Sequence, residues 1–145
     1  MTVLQPIDFN FEECRKQVLE LQSFLGSHQS LKERDEILPF FKDRKHLSAY
    51  LGTWNSDMVK YDRVAHEYPL FGSFVCDLVV GDWSRHSYVF VEFENAEPKN
   101  LFIKKKRPTM EWSPRLEHGF SQLVDWFYEL DTERNSVRFE ERFGS

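Results

Sequence analysis

The sequence predicts an α+β domain, and three features carry that expectation. Residues 1–57 repeat their apolar positions at a helical period, residues 58–94 switch to the period of two that strands require, and a second helical stripe runs from residue 114 to about residue 130. At 145 residues the chain has the length of one domain, single domains most often running ~100–150 residues.

In the first part, Phe11, Cys14, Val18, Leu21 and Leu25 share one helical face, Asn10 with Glu13 resembles a capping box, and Gly26 supplies a stop. Ser30 with Glu33 reads as a second helix entrance, leading to Ile37, Leu38 and Phe41, with Pro39 a break or kink. Residues 44–51 form a third short helix ending at Gly52. Three strands follow, at residues 60–68, 73–80 and 87–94. The last two are joined by the turn-like residues 81–86, so an antiparallel hairpin is expected. Ser113-Pro114 opens a helix whose buried stripe is Leu116, Phe120, Leu123, Val124 and Phe127; Trp112, Trp126 and Phe127 are expected in the core. Residues 131–145 read as a charged tail, frayed or forming one edge strand, with Val137, Phe139 and Phe143 as its anchors.

Composition narrows the function. Aromatic residues make up 16% of the chain, enough for a real core and against disorder. The longest mostly apolar stretch, residues 71–80, is interrupted by Asp77 and falls far short of the ~20 residues of a spanning helix, so no membrane association is expected. The first residues lack the features of a secretory leader, and two cysteines provide neither a disulfide framework nor a four-thiolate zinc site; the expected compartment is the cytoplasm. The five histidines lack metal-ligand spacing, although His118 lies one helical turn before Gln122. A net charge of −5 excludes a broad electrostatic DNA coat. Lys99, Lys104, Lys105, Lys106 and Arg107 nevertheless place five positive charges within nine residues, a cluster suited to backbone phosphates, with a solvated loop as the competing reading.

The hairpin concentrates acid. A register symmetric about its turn pairs Val80 with Val89 and sets Asp77 opposite Glu92, while Glu94 points the same way as Glu92. Like charges across a ladder repel, and buried carboxylates need a cation or shared protons. A hard divalent ion, Mg2+ or Mn2+, supplies that charge and is suited to phosphodiester hydrolysis. An ordinary solvated surface is the competing reading, and apolar Val75, Val79 and Phe90 on the same face weigh against it.

These residues, with Leu101-Phe102 and the helix carrying Gln122-Leu123-Val124-Asp125-Trp126, resemble the nuclease domain of Shedu-type antiviral defence proteins, within the PD-(D/E)XK nuclease superfamily. The resemblance covers about residues 21–130. It implies an α/β/α-like, restriction-endonuclease-like mixed sheet with N-terminal helices and a glutamine-bearing helix packed on it. It also implies Mg2+- or Mn2+-dependent cleavage of DNA in defence against phage or mobile elements. Asp77 is similar to the metal-binding aspartate and Glu92 to the acid on the neighbouring strand; Glu67 corresponds to an additional acidic ligand. Gln122, with Trp126 four residues on, is similar to the glutamine and aromatic pair of several branches.

Glu94 stands where the superfamily usually has lysine, and a glutamate cannot stabilise a phosphorane. Two explanations keep the enzyme: the cation comes from Lys99 or Lys104–Lys106, or the extra carboxylate takes a second metal. The alternative is a catalytically inactive module for nucleic-acid or protein interaction and regulation. Homo-oligomerisation is left open.

Overall fold

The computed structural model describes residues 3–72, 74–99, 101–104 and 108–144. Its chain order begins β1 (Gln5–Pro6), α1 (Phe11–Gly26), a π-helical turn (Glu33–Ile37), α2 (Leu38–Lys42) and α3 (Lys45–Tyr50). There follow β2 (Arg63–Pro69), β3 (Val75–Asp82), β4 (Ser87–Val91), β5 (Phe102–Lys104), β6 (Met110–Trp112), α4 (Pro114–Glu133) and α5 (Val137–Phe143). The α+β class is as expected. The main sheet has the order β1-β2-β3-β4, and its pairings are antiparallel throughout rather than mixed; β5 and β6 form a separate hairpin.

Local sequence explains the start of α1: Asn10 is extended and its side chain accepts the Glu13 amide, satisfying a donor that the first helical turn leaves free. Ser113 does the same for Leu116, and Pro114 fixes the first residue of α4. The expected entrance at Ser30 does not form. Lys32 is the capping residue, its backbone N–H bonds Glu36 Oε2, and the chain enters a π-turn that passes directly into α2 with Pro39 in its first turn. Pro39 therefore sits where its missing N–H costs little and breaks nothing.

The sheet is the middle of three layers, which matches the α/β/α-like expectation. On one side, Ala65, Val79 and Tyr68 pack with Trp126 of α4 and Phe143 of α5. On the other, Val64, Leu78 and Val80 pack with Ala49 of α3 and Met58, and next to them Leu31, Ile37, Phe41 and Leu47 join the apolar face of α1. Gly52 fits where its neighbours leave no room for a side chain: a Cβ there would lie 2.7 Å from the Tyr61 ring and 3.0 Å from Val80.

Several boundaries move. The first long strand begins at Arg63 rather than residue 60, and β4 ends at Val91, so Glu92 and Glu94 lie in the extended segment beyond it. Residue 73, the expected start of β3, lies outside the described residues. The final segment is neither frayed nor a strand: Ser136 caps α5 by accepting the Phe139 amide, and Phe143, 1% exposed, plugs the core. Trp126 is core as expected. Trp112, at the end of β6, is exposed, and so are Phe120, Val124 and Phe127 of the predicted stripe, because α4 turns Gln122 and Trp126 inward instead.

Candidate functional site

β3 and β4 keep the predicted register, Val80 pairing with Val89, and the ladder closes at Leu78 and Val91. Asp77 and Glu92 come next in line. The Asp77 carboxylate continues the strand pairing in another form, its Oδ2 accepting the Phe93 amide at 2.8 Å, which fixes the chain between Glu92 and Glu94. From α4, Gln122 Nε2 donates to Glu92 Oε1 at 2.9 Å. A long-range bridge closes the arrangement. Leu31 and Ala96 exchange backbone bonds of 2.9–3.0 Å, Glu33 N donates to Asn95 Oδ1 at 2.7 Å, and the π-turn is thereby clamped beside the segment that carries Glu94.

These contacts surround a cavity of about 540 Å³. Asp77, Glu92, Glu94, Glu67 and Glu33 line it, as do Arg34 and Lys42, Arg115, His118 and Gln122. The site thus brings together every residue the sequence singled out as catalytic or metal-binding. Glu33, Arg34, Lys42 and Arg115 were missed. In sequence Glu33 reads as part of a helix cap, and the other three are ordinary charged helix residues until the fold turns them to one place.

The electrostatics are those of crowded acid. Burial, then the charges of Asp77 and Glu33, push Glu92 up to about 8, against the lowering effect of the Gln122 hydrogen bond. Burial also raises Asp77, opposed by the Phe93 amide, and raises Glu33, to which Asp77 and Glu94 add. Among the described residues, two buried side-chain atoms have no hydrogen-bond partner, Glu92 Oε2 and Gln122 Oε1. Cationic neighbours answer part of the charge: Arg115 Nη1 lies 3.3 Å from Glu94 Oε2, and the Lys42 ammonium pairs with the Glu67 carboxylate.

Glu67 is unusual in its backbone. Its φ is +47°, left-handed in the middle of β2, while the pairs on either side, His66 with Leu78 and Tyr68 with Cys76, keep one register. The twist lets Ala65 and Tyr68, three residues apart, enter the same core cluster, which strict alternation forbids. Such conformations at a non-glycine residue cost on the order of 1–3 kcal/mol, and they collect at functional sites. The exposed ion pair with Lys42 returns ~1 kcal/mol at most.

Lys99 and Lys104 are exposed and do not line the cavity; Lys105, Lys106 and Arg107 lie outside the described residues. The segment leading to Lys99 does border the site, since Glu94, Glu97, Pro98 and Leu101 line an adjoining hollow. Among the described residues no three His, Cys, Asp or Glu side chains converge closely enough to hold a metal ion as they stand. No described helix is long and apolar enough to cross a membrane.

Comparison with curated proteins and with solved structures gives no match. A family model does match: that of Shedu protein SduA, C-terminal, over residues 30–144, a span that holds the whole cavity. The chain therefore belongs to the SduA C-terminal family of Shedu proteins, part of an antiphage defence system.

Proposed function

We propose that this domain is a Mg2+- or Mn2+-dependent DNA nuclease, with Asp77 and Glu92 as the carboxylates that hold the cation. The observation that carries the reading is Glu92: a carboxylate beside Asp77, raised to about 8, with one oxygen buried and unpartnered. Such an atom is costly without a cation or a proton, and oxygen donors of this kind suit a hard divalent ion. The fit is one of donor chemistry and charge.

A bound divalent cation supplies Lewis acidity for phosphodiester hydrolysis. The protein's own residues divide the remaining work. Gln122 orients Glu92 through its amide, and the Phe93 amide orients Asp77. Glu94, tied to Arg115, borders the cation site as a further carboxylate, while Lys99 and Lys104–Arg107 hold flanking backbone phosphates of DNA. Divalent-dependent cleavage of DNA is expected to disappear in Asp77→Ala and Glu92→Ala variants that retain the native circular dichroism spectrum. Undiminished cleavage by both variants overturns the assignment.

A second reading, an inactive nuclease-fold module, is favoured by the absence of three converging ligands among the described residues. Calorimetric titration with Mn2+ separates the two. The module binds no metal, whereas the nuclease binds it and loses it with Asp77 and Glu92.

A further inference from the structure

A DNA phosphate that enters the cavity meets a wall of carboxylates, so its binding depends on the cations that face it. Arg115 is drawn to Glu94 at the α4 side, and Arg34 acts on Glu33 and Asp77 from the π-turn. Lys42 is placed differently. It ends α2 and reaches across to β2, where its ammonium meets Glu67, the residue opposite Asp77 in the strand pairing. Its side chain is 37% exposed and that of Glu67 55%, so the pair stands at the open side of the cavity.

Stability does not account for this pair. Half-exposed ion pairs are among the weakest of stabilising contacts, and the left-handed Glu67 backbone opposes folding. Placement does account for it. The turn at Glu67 aims its carboxylate at Lys42 while leaving it near enough to Asp77 to help raise that group's pKa, and a lysine held there presents its remaining N–H groups to an incoming phosphate oxygen.

We propose that Lys42 is the phosphate-contacting cation of this cavity and that Glu67 is its positioning residue, not a metal ligand. The proposal rests on the reading that the cavity receives DNA, and it is independent of whether the DNA is cut.

The test is binding of a fluorescein-labelled 20-base-pair duplex to the whole chain in CaCl2, followed by anisotropy over a series of NaCl concentrations. Mn2+ affinity is measured in parallel by calorimetry. Lys42→Ala is expected to weaken DNA binding by about 5–10-fold and to lower the salt slope by ~1, as loss of one phosphate contact requires, with Lys42→Arg restoring both. In a Glu67→Gln background the same alanine substitution is expected to cost less than about two-fold, because Lys42 is no longer held. Glu67→Gln alone is expected to leave Mn2+ affinity within about two-fold, against a loss of more than about ten-fold for Asp77→Ala. An unchanged salt slope in Lys42→Ala, absence of DNA binding by the native chain, or a Glu67→Gln loss of Mn2+ affinity equal to that of Asp77→Ala overturns the proposal. Failure of the native chain to cleave DNA in Mg2+ or Mn2+ counts against the nuclease reading and leaves these binding results standing.

Discussion

Glu92 makes the folded protein a stronger proton acceptor than the unfolded chain. Its ordinary value is 4.5 and its folded value is pushed up to about 8, so between those limits the native state holds a proton that the unfolded state has released. Stability then falls as pH rises through this window, since unfolding is favoured wherever the unfolded chain binds fewer protons. Asp77 and Glu33, raised for the same reasons, act in the same direction. His66, lowered chiefly by burial and then by Lys42, acts in the opposite direction at the acid end, so the informative quantity is a difference between variants. In chelator, the melting temperature of the native protein is expected to drop from pH 5 to pH 8 relative to Glu92→Gln. Parallel profiles for the two proteins would show that Glu92 ionises normally.

At the same scale, Asp82 shows what a satisfied buried acid looks like. It is 0% exposed, and its oxygens accept the Val59, Lys60 and Arg85 amides and the Ser84 hydroxyl. Burial raises its pKa, but these donors outweigh it and hold the carboxyl well below the usual range. Its stabilising contribution is therefore complete above the ordinary carboxylate pKa and is lost as pH falls. Asp82→Asn turns an amide NH2 toward N–H donors on one side of the group, and a loss of about 2–4 kcal/mol in urea unfolding at neutral pH is expected.

Elements differ in how openly the sequence announces them. The hairpin was legible because Val, Phe and Tyr alternate cleanly on both sides of a short turn, and the Val80–Val89 register follows from symmetry alone. Helix α4 was legible from Ser113-Pro114, with Trp126 expected in the core and Gln122 marked by the family resemblance, but the rest of its inward face was misread. Phe120, Val124 and Phe127 of the expected stripe are exposed, because the helix turns Gln122 to Glu92, a tertiary contact thirty residues away. The π-turn was hidden for a similar reason: Ser30 and Glu33 look like a capping box, yet Leu31 is taken by its bridge to Ala96 and the helix start slips to Lys32. Helix α5 was missed because residues 137, 139 and 143 fit neither period fully. Ser136 before it and Gly144 after it, at φ +77°, were the signals to use. The helix is no appendage. The Phe143 ring lies 4.9–6.0 Å from those of Tyr68, Phe71, Tyr88, Phe90 and Phe139. Phe143→Ala is expected to destabilise by about 3–5 kcal/mol in chemical denaturation, whereas exposed Val137→Ala stays within about 0.5 kcal/mol. Equal, small effects would return α5 to the status of a loose tail.

For the whole molecule, the net charge of −5 acquires a location. Glu33, Glu67, Asp77, Glu92 and Glu94 face one cavity, against Arg34, Lys42 and Arg115, so part of the acidic excess is concentrated at the site instead of being spread over the surface. Such a fold carries electrostatic strain that a bound dication relieves and unfolding also relieves. A ligand that binds only the native state stabilises it by mass action, about 2.7 kcal/mol at a concentration one hundred times its dissociation constant. For a domain of this length that corresponds to a rise of roughly 5–10 °C in melting temperature. The partly buried site is screened less than a surface site, so most of the rise should persist in 0.3 M NaCl, at ~6 Å Debye length. The double variant Asp77→Asn, Glu92→Gln keeps the size of both side chains and removes their negative charge. Without metal it is expected to melt no lower than the native protein, because the repulsion has gone; with Mn2+ it is expected not to shift. A full Mn2+ shift in the double variant would place the metal away from this cavity, and with it the chemistry proposed for the domain.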